Sequence, residues 1–299
     1  MENRLYKRQV GLLLDVLPEV AKENCFALHG GTAINLFVRN MPRLSVDIDL
    51  TYLPIEDRET SLRNIGEALE RIQGRVEKTI TPVRVQHKKE IAKLLISSQG
   101  AEIKLEVNLV GRGSFKEPVK MRLCERAQEE FDVFTAIPVV PFGQLFGGKI
   151  CAALDRQHPR DLFDVKYLLS NEGFSDEVRQ GFLFCLLGSD RPINEVIMPN
   201  FQDQRLALVN QFSGMSAEEF SYEEYEAIRE QLVTTVNENL TKSDKAFLLS
   251  FKNVEPDWSI YDFERFPSIQ WKLRNLNILK QRNPEKHREQ YELLQEKLG

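Results

Sequence analysis

The sequence is poor in cysteine: Cys25, Cys124, Cys151 and Cys185 are far apart, and none belongs to a C-x-x-C pair. A disulfide framework is therefore excluded, and a reducing cytosol is the natural home. None of the four histidines has metal-ligand spacing with a cysteine, so zinc is excluded as well. No apolar run approaches the ~20 residues needed to cross a bilayer, and no membrane contact is expected. The opening MENRLYKRQVGLLLDVLPEV has basic residues ahead of leucines. Asp15 and Glu19 interrupt the run at helical spacing and no small-residue cleavage site follows, so it reads as an amphipathic helix and not a leader. There is no basic excess either: 40 Lys and Arg face 45 Asp and Glu, a net charge of −5. That argues against a wholesale polyanion binder but leaves room for a local basic surface. Repeats and low-complexity tracts are absent. What remains is a globular chain of 299 residues, 42% apolar and 28% charged, long enough for two domains.

Hydrophobic spacing predicts a first helix from about Leu5 to Glu23, with Val10, Leu13, Leu14, Leu17 and Val20 on one face. The apolar run Cys25–Leu28 leads into His29-Gly30-Gly31-Thr32 and a helix from Ala33 to about Arg39. Val46–Tyr52 alternates as a strand, and a helix follows at about Ile55–Gln73. Ile91–Ser97 and Glu102–Val110 flank a Ser98-Gln99-Gly100 turn as a hairpin, and a short strand lies near Phe134–Val140. From Pro141 onward nearly everything reads helical. The expected architecture is α+β: residues 1–140 form a mixed sheet with flanking helices, and residues 141–299 form an all-α domain. The latter is bipolar in charge. Ser216–Leu240 holds seven Glu against one Arg, and Trp271–Gly299 seven Lys or Arg against four Glu.

Chemistry concentrates at Gly30-Gly31-Thr32 and, fourteen residues later, Asp47-Ile48-Asp49. Asp47 and Asp49 are i and i+2 on a strand, so their carboxylates share a face, roughly 7 Å apart at Cβ. Two carboxylates so placed repel one another unless a cation lies between them. Oxygen-only ligands suit Mg²⁺ or Mn²⁺ completed by substrate phosphates. The Gly-Gly-Thr turn offers backbone N–H groups and a hydroxyl to a phosphate. Glu106 lies on the polar face of Lys104–Asn108. If that strand is beside the D-x-D strand, Asp47, Asp49 and Glu106 form a triad for two metal ions about 4 Å apart, the arrangement of phosphoryl and nucleotidyl transfer.

A last cluster runs from Phe142 to Tyr167. Lys149, Ala153 and Arg156 share a helix face, and Gly147 and Gly148 permit something to pack close to Lys149. Pro159 breaks the helix, and Asp161 and Asp164 share a face of the next. Lys149 would neutralise triphosphate charge, with Arg156, Arg160, Asp161 and Asp164 ordering the pocket. Lys166 is expected on the outer face, His158 in an exposed turn, and Trp258 and Trp271 in packing. Lys272, Arg274, Lys280 and Arg282 form a basic helix side able to meet RNA phosphates.

The segment HGGTAINLFVRNMPRLSVDIDL resembles the first motif of DNA-polymerase-β-type nucleotidyltransferases, in the AbiEii/AbiGii toxin branch related to the mycobacterial MenT toxins. KLEVN is similar to the strand bearing that superfamily's third carboxylate. GGKICAALDRQHPRDLFDVKYLL resembles the family's lysine and RD-x-x-D signature, and FPSIQWKLRNLNILKQRNPEKHREQYELL its closing helix. One departure is Gly-Thr with fourteen intervening residues, where the family often has Gly-Ser and a shorter gap. The resemblance implies a bilobed fold, a minimal nucleotidyltransferase sheet followed by a helical lobe. It also implies Mg²⁺-dependent (or Mn²⁺-dependent) transfer of a nucleoside monophosphate from an NTP to an RNA acceptor, the tRNA 3′ end in better-understood relatives. A winged-helix, AbiEi-like antitoxin encoded nearby would be the partner, in a type IV toxin–antitoxin system of abortive infection.

Two other readings stand beside it: an inactive nucleotide- or partner-binding module, and a phosphotransferase acting on a small molecule or protein. Degeneration should have eroded Asp47, Asp49, Glu106 or Lys149, and all four are present.

Overall fold

The computed structural model describes residues 2–299. It divides into two compact units, one comprising Met1–Pro141 with Phe212–Glu219, the other Phe142–Gln211 with Phe220–Gly299. The short segment 212–219 joins the first unit through backbone: Leu44 N–H donates to the Met215 carbonyl at 2.7 Å, and Arg43 bridges Ser216. No helix among the described residues is long and apolar enough to cross a membrane.

The first unit is α+β. Its elements are α1 (Glu2–Val20), β1 (Phe26–His29), α2 (Gly30–Ala33), β2 (Asp47–Tyr52), α3 (Arg58–Thr79), β3 (Arg84–Lys88), β4 (Lys93–Ser98), β5 (Ala101–Asn108), β6 (Val119–Arg122), α4 (Glu125–Phe131) and β7 (Ala136–Val139). One seven-stranded mixed sheet runs β3-β4-β5-β2-β1-β7-β6, with β2 and β5 parallel and β1 antiparallel to β2. The expected stripe of α1, Val10, Leu13, Leu14, Leu17 and Val20, is fully buried. Alternation along β5 sends Ile103, Leu105 and Val107 into the core and leaves Lys104 and Glu106 on the opposite face. Three elements escape the pattern reading. Strands β3 and β6 are short and largely exposed, so they carry no clean alternation. Helix α4 buries only Ala127. The helix expected at Ala33–Arg39 instead continues α2 as a π-helix over Ile34–Val38.

The second unit is helical: α5 (Phe142–Asp155), α6 (Pro159–Asn171), α7 (Asp176–Gly188), α8 (Ile193–Ile197), α9 (Arg205–Gln211), α10 (Tyr222–Asn239), α11 (Lys242–Lys252), α12 (Pro267–Arg282) and α13 (Pro284–Leu298). Its core pair is α5 against α7. A Cβ on Gly147 would lie 2.2 Å from the Gly181 carbonyl carbon, so these helices touch backbone to backbone. That close approach, and not one to Lys149, explains Gly147. Gly148 meets only ordinary contact with Cys185.

Candidate active site

In the sheet unit, chain geometry aligns four polar residues in one row. β1 and β2 pair His29 with Asp49, β2 and β5 pair Asp49 with Glu106, and β5 and β4 pair Glu106 with Lys93. Cross-strand partners share a face, so His29, Asp49, Glu106 and Lys93 form a line across four strands, with Asp47 one step along β2. Asp47 and Asp49 are half-buried. The Glu106 carboxylate is ion-paired with Lys93, which no spacing rule predicts because the two lie on different strands. His29 Nδ1 is 3.1 Å from the Thr51 hydroxyl.

The Gly-Gly turn lies directly on this row. Gly30 has φ +73°, and a Cβ there would sit 2.4 Å from Asp49 Oδ2, so only glycine lets the turn close over that carboxylate. Beside it, a Cβ on Gly31 would lie 2.8 Å from a guanidinium nitrogen of Arg43, whose side chain is buried against the turn. Thr32 is fully buried, and its hydroxyl donates to the Asp47 carbonyl at 2.5 Å. Its second neighbour is the Ser45 hydroxyl, whose Oγ lies 3.0 Å away and can donate to it. The hydroxyl expected to face a phosphate is thus a pin between the turn and the start of the D-x-D strand. What the turn presents is backbone.

Among the described residues no three His, Cys, Asp or Glu side chains converge closely enough to hold a metal ion. The donor set nevertheless fits a hard divalent cation. Asp47 and Asp49 supply two carboxylates on one face, and Mg²⁺ takes one or two with the remainder from phosphates and water. Glu106, directly across from Asp49, could contribute only after exchanging its pairing with Lys93.

In the helical unit, the Lys149 motif closes on itself. Lys149, 7% exposed, lies 2.8 Å from Asp161 Oδ1 and 3.0 Å from Asp164 Oδ2, and both carboxylates are buried. Arg156 adds two donors to Asp161, at 2.6 and 3.1 Å, while 61% of its side chain remains exposed. Burial pushes the Asp161 carboxyl upward, but the charges of Lys149 and Arg156 outweigh it and hold the group well below the usual carboxylate range. The i, i+3 spacing of Asp161 and Asp164 aims both at one ammonium. Lys149 and Arg156 together balance the two carboxylates, and of these four groups Arg156 is the one that reaches solvent. Arg160 starts α6, where the His158 ring caps the helix by accepting the Arg160 N–H at 3.1 Å.

Several expectations are overturned here. His158 is this cap and is only partly exposed. Lys166 is not on an outer face: 16% exposed, it pairs with Glu224 at 2.7 Å and lies over the rings of Phe163 and Phe220. Trp258 packs edge-on to Phe247 and Phe251, but Trp271 is half-exposed. The basic side of α12 largely turns inward. Lys272 is buried, and the Lys280 ammonium donates to the Asn253 carbonyl at 2.8 Å, which leaves Arg274 and Arg282 outside. Helix ends on other segments offer these lysines carbonyl acceptors, a partner that charge counting along one segment does not see.

Comparison with known proteins agrees with this architecture. The family model described as nucleotidyl transferase AbiEii toxin, type IV TA system, matches residues 11–275. Among solved structures, the nucleotidyltransferase toxin MenT4 of Mycobacterium tuberculosis H37Rv is similar in fold. The TM-score is 0.60 at 15% identity, over 88% of this chain and 92% of that one. No curated protein matches the chain in sequence.

Proposed function

Because the chain belongs to the AbiEii family of nucleotidyltransferase toxins of type IV toxin–antitoxin systems, we propose that it moves a nucleoside monophosphate from an NTP to an RNA acceptor, the tRNA 3′ end, in the cytoplasm. The acceptor hydroxyl attacks the α-phosphorus, its proton is removed, and pyrophosphate leaves. The observation that carries this reading is Asp49 at the centre of the sheet row, flanked by Asp47 on its strand and Glu106 across from it, under the Gly30–Gly31 turn. Asp47 and Asp49, joined by Glu106, would hold Mg²⁺ or Mn²⁺. Such an ion neutralises phosphate charge and activates the hydroxyl. The chain's own part is positional. Thr32 and Ser45 fix the start of β2, and the backbone of Gly30 and Gly31 offers the turn to phosphate oxygens. Lys149, Arg156, Arg160, Asp161 and Asp164 are the nucleotide-binding residues of the helical unit, with Lys149 holding Asp161 and Asp164 so that Arg156 and Arg160 present charge. The partner is a winged-helix, AbiEi-like antitoxin.

The test is incubation of the chain with each labelled NTP, Mg²⁺ and total RNA, followed by sizing of the labelled product. Label should appear on tRNA and vanish with EDTA. Asp49→Ala should abolish transfer at an unchanged unfolding midpoint, since a half-solvated carboxylate contributes little stability. Equal activity of Asp49→Ala and wild type at matched folded fraction would end the catalytic reading. Label on protein or a small molecule with none on RNA would move the acceptor to the phosphotransferase class. If the exposed arginines of α12 meet RNA phosphates, Arg274→Ala and Arg282→Ala should each lower the log–log salt slope by about 0.7 on single-stranded RNA.

A further inference from the structure

Far along the chain from the Lys149 motif, the helical unit holds a cavity of about 190 Å³, bordered by Lys252, Lys272, Asn275 and Gln290 and by the apolar surfaces of Trp271 and Leu276. Its charges are unlike those of the Lys149 cluster. Lys252 is 2% exposed and Lys272 8%, and among the described residues neither has an ion-pair partner. Lys252 donates to Gln290 Oε1 at 2.6 Å, which leaves two of its three N–H groups unused. Lys272 donates to the carbonyls of Leu186 and Arg191, at 2.9 and 2.7 Å, and to Ser189 Oγ at 3.3 Å. Dipoles hold it in place without neutralising it. Of the other charged groups on the lining, Arg191 pairs with Asp155 at 2.6 Å, and Asp190 is exposed. His287 faces the Lys252 carbonyl, 2.8 Å away.

Burying a cation is costly unless an anion accompanies it. Burial pushes both ammonium groups down to about 8, and Lys252 adds to the effect on Lys272. At neutral pH both remain mostly protonated, so the cavity presents two positive charges. Beside them Trp271, 50% exposed, places an aromatic ring at the cavity's border. A largely apolar recess that holds two buried cations, with an aromatic ring at its border, matches a phosphate joined to a planar base.

We propose that the cavity bordered by Lys252, Lys272 and Trp271 binds a phosphate monoester of a nucleoside, with the phosphate at the two lysines and the base against Trp271. Lys272 is already fixed by its three acceptors, and Lys252 supplies its unused donors to the phosphate oxygens. The site lies wholly within the helical unit and does not rest on the nucleotidyltransferase reading. The same chemistry is offered by a free nucleotide and by the phosphorylated end of an RNA.

The experiment uses the full chain carrying Asp49→Ala, in EDTA, so that divalent-dependent binding at the sheet row is removed. Tryptophan fluorescence is titrated with AMP, adenosine, inorganic phosphate, and a short RNA with or without a 5′-phosphate. Saturable quenching by AMP or by the phosphorylated RNA, none by adenosine, and competition by inorganic phosphate are expected. AMP alone would mark a free-nucleotide site, and phosphorylated RNA alone an RNA-end site. Lys252→Met should weaken binding at least tenfold. Trp271→Phe, which keeps an aromatic ring at this half-exposed position, should remove the quench while calorimetry still detects the phosphate. Adenosine binding as well as AMP, no response to any phosphate, or undiminished affinity in Lys252→Met would overturn the proposal.

Discussion

Lys149 and Lys272 are buried to nearly the same depth in the same helical unit, 7% and 8% exposed, yet they are accommodated in opposite ways. Two aspartates one helical turn apart neutralise Lys149, whereas Lys272 meets only carbonyl and hydroxyl oxygens, with Lys252 bordering the same cavity. The first is a closed cluster whose Coulomb energy offsets desolvation. In the second, dipoles satisfy hydrogen bonds but leave net charge. Removing a charge should therefore damage the first place and relieve the second.

The largest effect is expected at Asp161. Asp161→Ala leaves Lys149 and Arg156 with Asp164 alone and should cost about 3–5 kcal/mol, read from urea unfolding. A near-zero cost would show that water already screens the cluster. Lys149→Met removes the ammonium that Asp161 and Asp164 share, leaving Arg156 on Asp161, and should lose a comparable amount, so its transfer rate has to be compared at equal folded fraction. By contrast, Lys252→Met should be neutral or stabilising; a loss as large as that of Lys149→Met would erase the distinction between the two places.

Acid and base should separate them as well. The folded Asp161 carboxyl lies below its ordinary 3.8, so its contribution is complete above that value and disappears only as pH falls through the lower folded one. Acid unfolding of Asp161→Asn should accordingly begin at higher pH than that of wild type. For Lys252 and Lys272 the folded value, about 8, lies below the unfolded 10.5. The native state loses its protons first, and stability should climb between about pH 8 and 10.5. The stability difference between wild type and Lys252→Met should change across that window, and a flat difference would remove the charge argument. Smallest of all, Lys166→Ala should cost about 0.5–1 kcal/mol, since its ion pair with Glu224 is partly exposed.

Much of the sheet unit was legible in the chain. The stripe of α1, the alternation of β5 and the punctuation at Ser98–Gly100 are local patterns, and local sterics with one-sided burial are enough to produce them. Edge strands such as β3 and β6 were not, because an exposed short strand needs no regular alternation. At the candidate site, the D-x-D spacing placed Asp47 and Asp49 on one face without any knowledge of the fold. Lys93 beside Glu106, Arg43 against Gly31 and the turn of Thr32 toward Asp47 had no local signal. Each depends on a partner brought in by strand order or loop path.

Residue spacing by itself therefore determined which side chains share a face: Asp47 with Asp49 on a strand, Asp161 with Asp164 on a helix. Backbone periodicity is a property of neighbouring residues, and it survives in almost any context. Only the tertiary structure decided what those faces meet. It set Asp161 and Asp164 against Lys149, set Glu106 against Lys93, and turned Lys272 inward onto the carbonyl end of α7 while Arg274 stayed in solvent. Whether a cation is buried, and whether a carboxylate or a carbonyl receives it, depends on groups as distant in the chain as Leu186 is from Lys272, 86 positions. Electrostatics and desolvation act through space, and no periodicity along the sequence encodes that distance.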